Sequence, residues 1–215
     1  MIRLVLISFC ALIGIVSHAQ NAEFDKVYEA CKLARSSMSF GEGSQSEIEE
    51  AANLLTTLGW MPLILQAVDV KHEVSVKNHM VFSPEFLNDV AKDRSVYRRA
   101  KKYAEEQDAE QRGGQVKLCT KCIKGGGQVV YTLRHRGGNF NVGAVAEVNG
   151  LINLSVIVKD AKGNESRLYK ISSEEFKGAS FRKLENIPVP KGNSNVYIYI
   201  ENKTEKDKSV AIIVE

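Results

Sequence analysis

From Val116 onward the chain is cut into short segments by turn-forming residues, and this spacing constrains its fold more than any other feature. The breaks fall at Gly125-Gly126-Gly127, Arg136-Gly137-Gly138-Asn139, Asn149-Gly150, Asp160-Ala161-Lys162-Gly163-Asn164 and Lys191-Gly192-Asn193-Ser194-Asn195. Glycine and asparagine tolerate the positive φ of tight turns, and Asx side chains bond their own backbone. Between the breaks apolar residues alternate: Ile152, Leu154, Val156 and Val158; Val196, Ile198 and Ile200; Val210, Ile212 and Val214. A period of two marks a half-buried strand, so these sets read as the inner faces of sheets. About eight such segments, with little helical period among them, predict an antiparallel β-sandwich of jelly-roll type over 113–215. Asn149-Gly150 and the glycine run at 125–127 read as hairpin turns.

The preceding part, 20–112, has the period of helices. Phe24, Val27, Tyr28, Cys31 and Ala34 form one apolar stripe over about 22–36. Ser46 with Glu49 three residues on is a capping box, opening a second helix with Ile48, Ala51, Ala52, Leu55 and Leu58 inward and Gly59 at its end. Ser83-Pro84 starts a third, running to about Gln107 with Tyr97 among its buried residues. Residues 63–81 fit either a helix or a short hairpin. The expectation is therefore a multi-domain α plus β chain, with a helical domain over 20–112 and the β-sandwich after it.

Residues 1–19 read as a cleavable export signal: Arg3, an apolar run from Leu4 to Val16, then Ser17-His18-Ala19 before a mature start at Gln20. The run is too short to span a bilayer, and no later stretch reaches the roughly 18 apolar residues of a membrane helix. Phe9 stands where a lipobox ending at Cys10 needs a small residue. The expectation is a secreted or periplasmic protein with no membrane span.

Composition is that of ordinary globular matter, 44% hydrophobic and 26% charged. The net charge of +3 hides an asymmetry. Residues 20–112 carry 12 basic against 16 acidic side chains, while 113–215 carry 16 against 10. The basic side chains are scattered rather than gathered, which reads as a solvated surface without a nucleic-acid partner.

Cys31, Cys119 and Cys122 remain after processing, and an oxidising compartment predicts a structural disulfide between two of them. Cys119-Thr120-Lys121-Cys122 also has the spacing of a redox site, with Lys117, Lys121 and Lys124 near enough to stabilise a thiolate. Its setting is β-like, however, and in a regular strand positions three apart face opposite sides. One Cys-x-x-Cys with His135 falls short of four zinc ligands, and His72-Glu73 is followed by Val76 where a metalloprotease helix needs histidine. No Gly-x-Ser-x-Gly elbow or phosphate loop occurs, so no metal, cofactor or catalytic residue is expected.

The segments LSVIVKDAKGN and NVYIYIENKTEKDKSVAIIV resemble small β-sandwich modules appended to secreted bacterial proteins, of which the bacterial pre-peptidase C-terminal type is the nearest. The whole chain resembles uncharacterised two-part secreted proteins of Bacteroidetes. The resemblance spans about the last hundred residues and implies a module that binds or assists targeting rather than one that catalyses.

Tyr197 and Tyr199 lie opposite Ile198 and Ile200, two positions apart and so side by side on one face. A pair of rings with polar tips suits stacking against sugars. Arg134 and Arg136, on an expected neighbouring strand, complete the candidate surface, although burial against the helical half, or under a partner strand, is the competing explanation for the tyrosines. Trp60 reads as a core or interface residue. The expected function is a non-enzymatic binding or interaction protein, with a glycan or an envelope protein as partner. The alternatives are a thiol–disulfide protein using Cys119 and Cys122, and a structural subunit of a surface assembly.

Overall fold

The computed structural model describes residues 22–35, 38, 45–56, 60–74, 94–95, 97–98, 115–165, 168–170 and 179–215. The export segment lies outside the described residues, as does most of the expected third helix, of which 94–95 and 97–98 are helical.

Two helices precede the strands: α1, residues 22–34, and α2, Gln45–Thr56. Among the described residues ten strands follow: β1 Trp60–Pro62, β2 Gln66–Asp69, β3 Val116–Ile123, β4 Gln128–His135, β5 Gly138–Ala146, β6 Ile152–Lys159, β7 Tyr169–Lys170, β8 Phe181–Val189, β9 Ser194–Asn202 and β10 Lys208–Val214. They form two five-stranded sheets, β1-β3-β10-β5-β8 and β2-β4-β9-β6-β7. All pairings are antiparallel except β1 with β3.

This is the predicted β-sandwich, and its strand order is that of a jelly roll. Consecutive strands alternate between the sheets; among the described strands only β6 and β7 are sequence neighbours that pair. The hairpins expected at 125–127 and 149–150 are therefore not hairpins. Each turn carries the chain from one sheet to the other, and Asn149 adopts φ 60° while the Gly150 N–H donates to the Glu147 carbonyl at 3.0 Å. A positive-φ turn fixes a tight reversal of direction, but it does not decide which sheet receives the next strand.

The predicted inner faces are all buried. Ile152, Leu154, Val156, Val158, Val196, Ile198, Ile200, Val210, Ile212 and Val214 share one core between the sheets with Val129, Tyr131, Phe140 and Ile187. Burying each of these large side chains contributes about 1.5–3 kcal/mol. A second apolar cluster lies on the outer face of the first sheet, where Phe24, Val27, Tyr28, Cys31 and Ala34 of α1 and Ile48 and Ala51 of α2 meet Trp60, Val116, Leu118, Val145, Ala211 and Ile213. Both faces of that sheet are covered, so β5 and β10 are unbroken buried runs rather than alternating ones. Lys183 of β8 donates to Asp25 of α1 at 2.7 Å, and Lys32 lies 4.6 Å from the centre of the Phe181 ring.

Residues 60–62 and 66–69, which lie within the part of the sequence with helical period, are edge strands of the two sheets. Trp60 is buried, 3% exposed, beneath the helices.

Candidate functional site

The second sheet turns its other face outward, and β9 runs through its middle. Alternation puts Val196, Ile198 and Ile200 in the core, and Asn195, Tyr197, Tyr199 and Glu201 on the outside, all partly exposed. Register then fixes the neighbours of each. Tyr197 lies between Thr132 of β4 and Ile157 of β6, and Tyr199 between Val130 and Ser155. Asn195 is flanked by Arg134 and Lys159 at one end of the face, and Glu201 by Gln128 and Asn153 at the other.

Directly opposed residues stand about 4.5–5.5 Å apart, so these twelve side chains form a continuous grid three strands wide. Its middle is apolar and aromatic, and each tyrosine has one hydrophobic and one hydroxyl-bearing flank. Its ends are polar and of opposite character, basic at Arg134 and Lys159 and acidic with amides at Glu201, Asn153 and Gln128. Asn153 Nδ2 donates to Glu201 Oε2 at 3.1 Å, and Lys203 pairs with Glu201 at 2.6 Å, which holds that carboxylate in place. At the basic end Lys159 pairs with Glu165 at 2.8 Å and its Nζ lies 5.1 Å from the Tyr197 ring centre.

The structure thus brings together Tyr197, Tyr199 and Arg134 as expected, and adds Lys159, Ile157, Asn153 and Glu201, which sequence reasoning missed. The missed signal was Ile157, an apolar residue on the side of INLSVIVK that alternation assigns to solvent. Arg136 does not join them. It lies past the end of β4, exposed, where its carbonyl accepts the Gly192 N–H at 3.2 Å. Of the expected competitors for the tyrosines, the described helices α1 and α2 pack instead on the other sheet.

The expected disulfide is not formed: Cys31, Cys119 and Cys122 are free and buried. Because β3 is a regular strand, Cys119 faces the core between the sheets and Cys122 faces the other way. Cys31, on α1, is in the outer cluster, across the first sheet from Cys119. Burial pushes the Cys119 thiol up to about 12 and raises Cys122 as well. A redox site needs the opposite shift. Lys121, expected to favour a thiolate, is paired with Glu73 at 2.8 Å, and that carboxylate also accepts the Tyr131 hydroxyl at 2.8 Å.

No protein-family model and no curated protein matches the chain. Solved structures resemble parts of it. A mitogen from Yersinia pseudotuberculosis is 16% identical over 46% of this chain and 84% of its own, with a TM-score of 0.34. TmCBM61 in complex with β-1,4-galactotriose is 13% identical over 46% of this chain and 81% of its own, at 0.30. A structure of carbohydrate-binding modules from the β-sandwich superfamily is 9% identical over 44% of both chains, also at 0.30.

Proposed function

We propose that this is an exported, non-enzymatic glycan-binding protein, and that the outer face of the β2-β4-β9-β6-β7 sheet is its binding surface. The single observation that carries the reading is the grid around Tyr197 and Tyr199: two rings in line on a central strand, with hydrogen-bonding side chains at both ends. A sugar offers the matching chemistry, apolar C–H faces for the rings and hydroxyls for the polar rim.

Placing the tyrosines on a central strand costs little ordering entropy on binding, because the backbone is already fixed on both sides. Truncating one ring costs about 1–2 kcal/mol, or roughly five- to thirtyfold in affinity. The export signal at 1–19 supports a location where polysaccharides are met. A panel of neutral and acidic polysaccharides, presented to the mature chain from Gln20 onward, tests the reading. Retention on at least one glycan is expected, and failure to bind any would overturn it.

A further inference from the structure

A concavity opens at one edge of the sandwich, lined by neither tyrosine. Its volume is about 360 Å³, and it lies between the segment 62–66, the start of β3, the ends of β4 and β10, and Phe140 of β5. We infer that this cleft is a separate binding site for a single carboxylate-bearing sugar residue, a uronic acid, and that Lys117 receives the carboxylate.

Size comes first: the volume sits at the lower end of small-ligand pockets, which run from about 300 to 1,000 Å³. Its walls are mixed in the manner a sugar needs. Leu63 and Phe140 give it buried apolar surface, and Ile64 stands at its side 85% exposed, an aliphatic side chain left in water where an occupant would cover it. The polar lining is uneven in charge. Lys117 and Arg134 both line the cleft, and among the described residues neither forms an ion pair.

The third basic group, His135, accepts the Gly137 N–H at Nδ1, 3.1 Å away, so its neutral form carries the proton on Nε2 as a hydrogen-bond donor. Burial and the nearby Lys117 cation both lower its pKa. The carboxylate on the lining, Glu215, is engaged at Oε2 by Asn141 Nδ2 at 2.9 Å, while its buried Oε1 has no partner. A buried carboxylate oxygen without a donor is costly, and a sugar hydroxyl would satisfy it. An anion for the cations, a hydroxyl for Glu215 and an apolar edge for Leu63 and Phe140 together describe a uronate more closely than a neutral hexose.

The cleft shares Arg134 with the basic end of the platform but is lined by neither tyrosine, and the titration separates the two surfaces. The mature chain is titrated with D-galacturonate and with galactose by NMR, alongside Lys117→Gln and the double variant Tyr197→Ala, Tyr199→Ala. Lys117 is exposed and outside the platform, so its substitution leaves the fold intact. The expected result is galacturonate binding with shifts at Leu63, Lys117 and His135, at least about tenfold tighter than galactose, and weakened about tenfold by Lys117→Gln. Affinity within about twofold of the parent is expected for the tyrosine variant. Equal binding of galactose, an unchanged affinity in Lys117→Gln, or no galacturonate binding would overturn the inference. Loss of galacturonate in the tyrosine variant would move the acid to the platform and overturn it too.

Discussion

Lys159 Nζ lies 5.1 Å from the centre of the Tyr197 ring while its ammonium is held 2.8 Å from Glu165. The ring thus already has an occupant for one face, drawn from the strand beside it.

The first prediction follows from that competition. A neutral glycan that stacks on Tyr197 must displace the ammonium, so Lys159→Ala is expected to raise affinity for a neutral ligand about two- to fivefold. Calorimetric titration of the parent and the variant checks it. A loss of affinity would mean that the lysine contacts the ligand itself.

A second prediction concerns the helix that covers the other sheet. A Cβ added to Gly143 of β5 would stand 2.6 Å from Tyr28 Cδ2, closer than carbon atoms approach. Glycine is present there because the Tyr28 ring lies directly on the strand. Gly143→Ala is expected to destabilise the fold by about 1–3 kcal/mol, and Tyr28→Ala in the same chain to recover part of that loss. Thermal melts of the single and double variants give the coupling; a melting temperature unchanged by Gly143→Ala would contradict the packing.

Much of this fold was legible in the sequence because one face of each strand in the second sheet meets solvent. Ile152 to Val158 and Val196 to Ile200 alternate cleanly, and the structure buries the apolar members of each set. The same alternation placed Tyr197 and Tyr199 outward. What alternation leaves open is pairing. Residues opposite one another, such as Tyr197 and Ile157, are joined by topology, and in a jelly roll most pairing partners are distant in sequence. That is why alternation alone does not reveal the platform's second strand, and why Asn149-Gly150 reads as a hairpin in the sequence. The helices were visible from the stripe of Phe24, Val27, Tyr28 and Cys31, but their resting place was not. Its trace lay in Val142 to Ala146 and Val210 to Val214, runs too continuously apolar for a sheet with a wet face. The 60–69 strands are too short for any period to declare itself.

The third prediction is for Asn202, fully buried at the end of β9. Its Nδ2 donates to the carbonyls of Ile123, Lys124 and Lys206 at 3.0, 3.3 and 2.8 Å. Its Oδ1 accepts from the Thr204 N–H at 3.0 Å and the Thr204 hydroxyl at 2.6 Å. One amide thus ties the β9–β10 turn to the end of β3. Asn202→Ala strands these buried groups and is expected to cost about 2–4 kcal/mol, lowering the melting temperature by roughly 5–15 °C. A change of less than about 1 °C would show that the turn holds without it.

The cysteines give the fourth. With its pKa raised to about 12, the Cys119 thiol is ionised at only about one part in ten thousand at pH 8. Native protein is expected to react negligibly with a disulfide reagent over minutes, while denatured protein exposes the thiols of Cys31, Cys119 and Cys122. A fast-reacting native thiol would contradict the burial. The sign of the linked stability effect follows from the upward shift. Full stability is present below the unfolded thiol's ordinary value of 9.0, and it is lost as pH rises from there toward about 12.

The most direct measurement of the central claim is isothermal titration of a glycan recovered from the polysaccharide panel against the parent chain and the Tyr197→Ala, Tyr199→Ala variant, with circular dichroism confirming that both retain the same strand content. The account predicts that the variant keeps its fold and binds at least about tenfold more weakly. A folded variant with the parent's affinity would contradict it, because the outer face of β9 would then have no part in recognition.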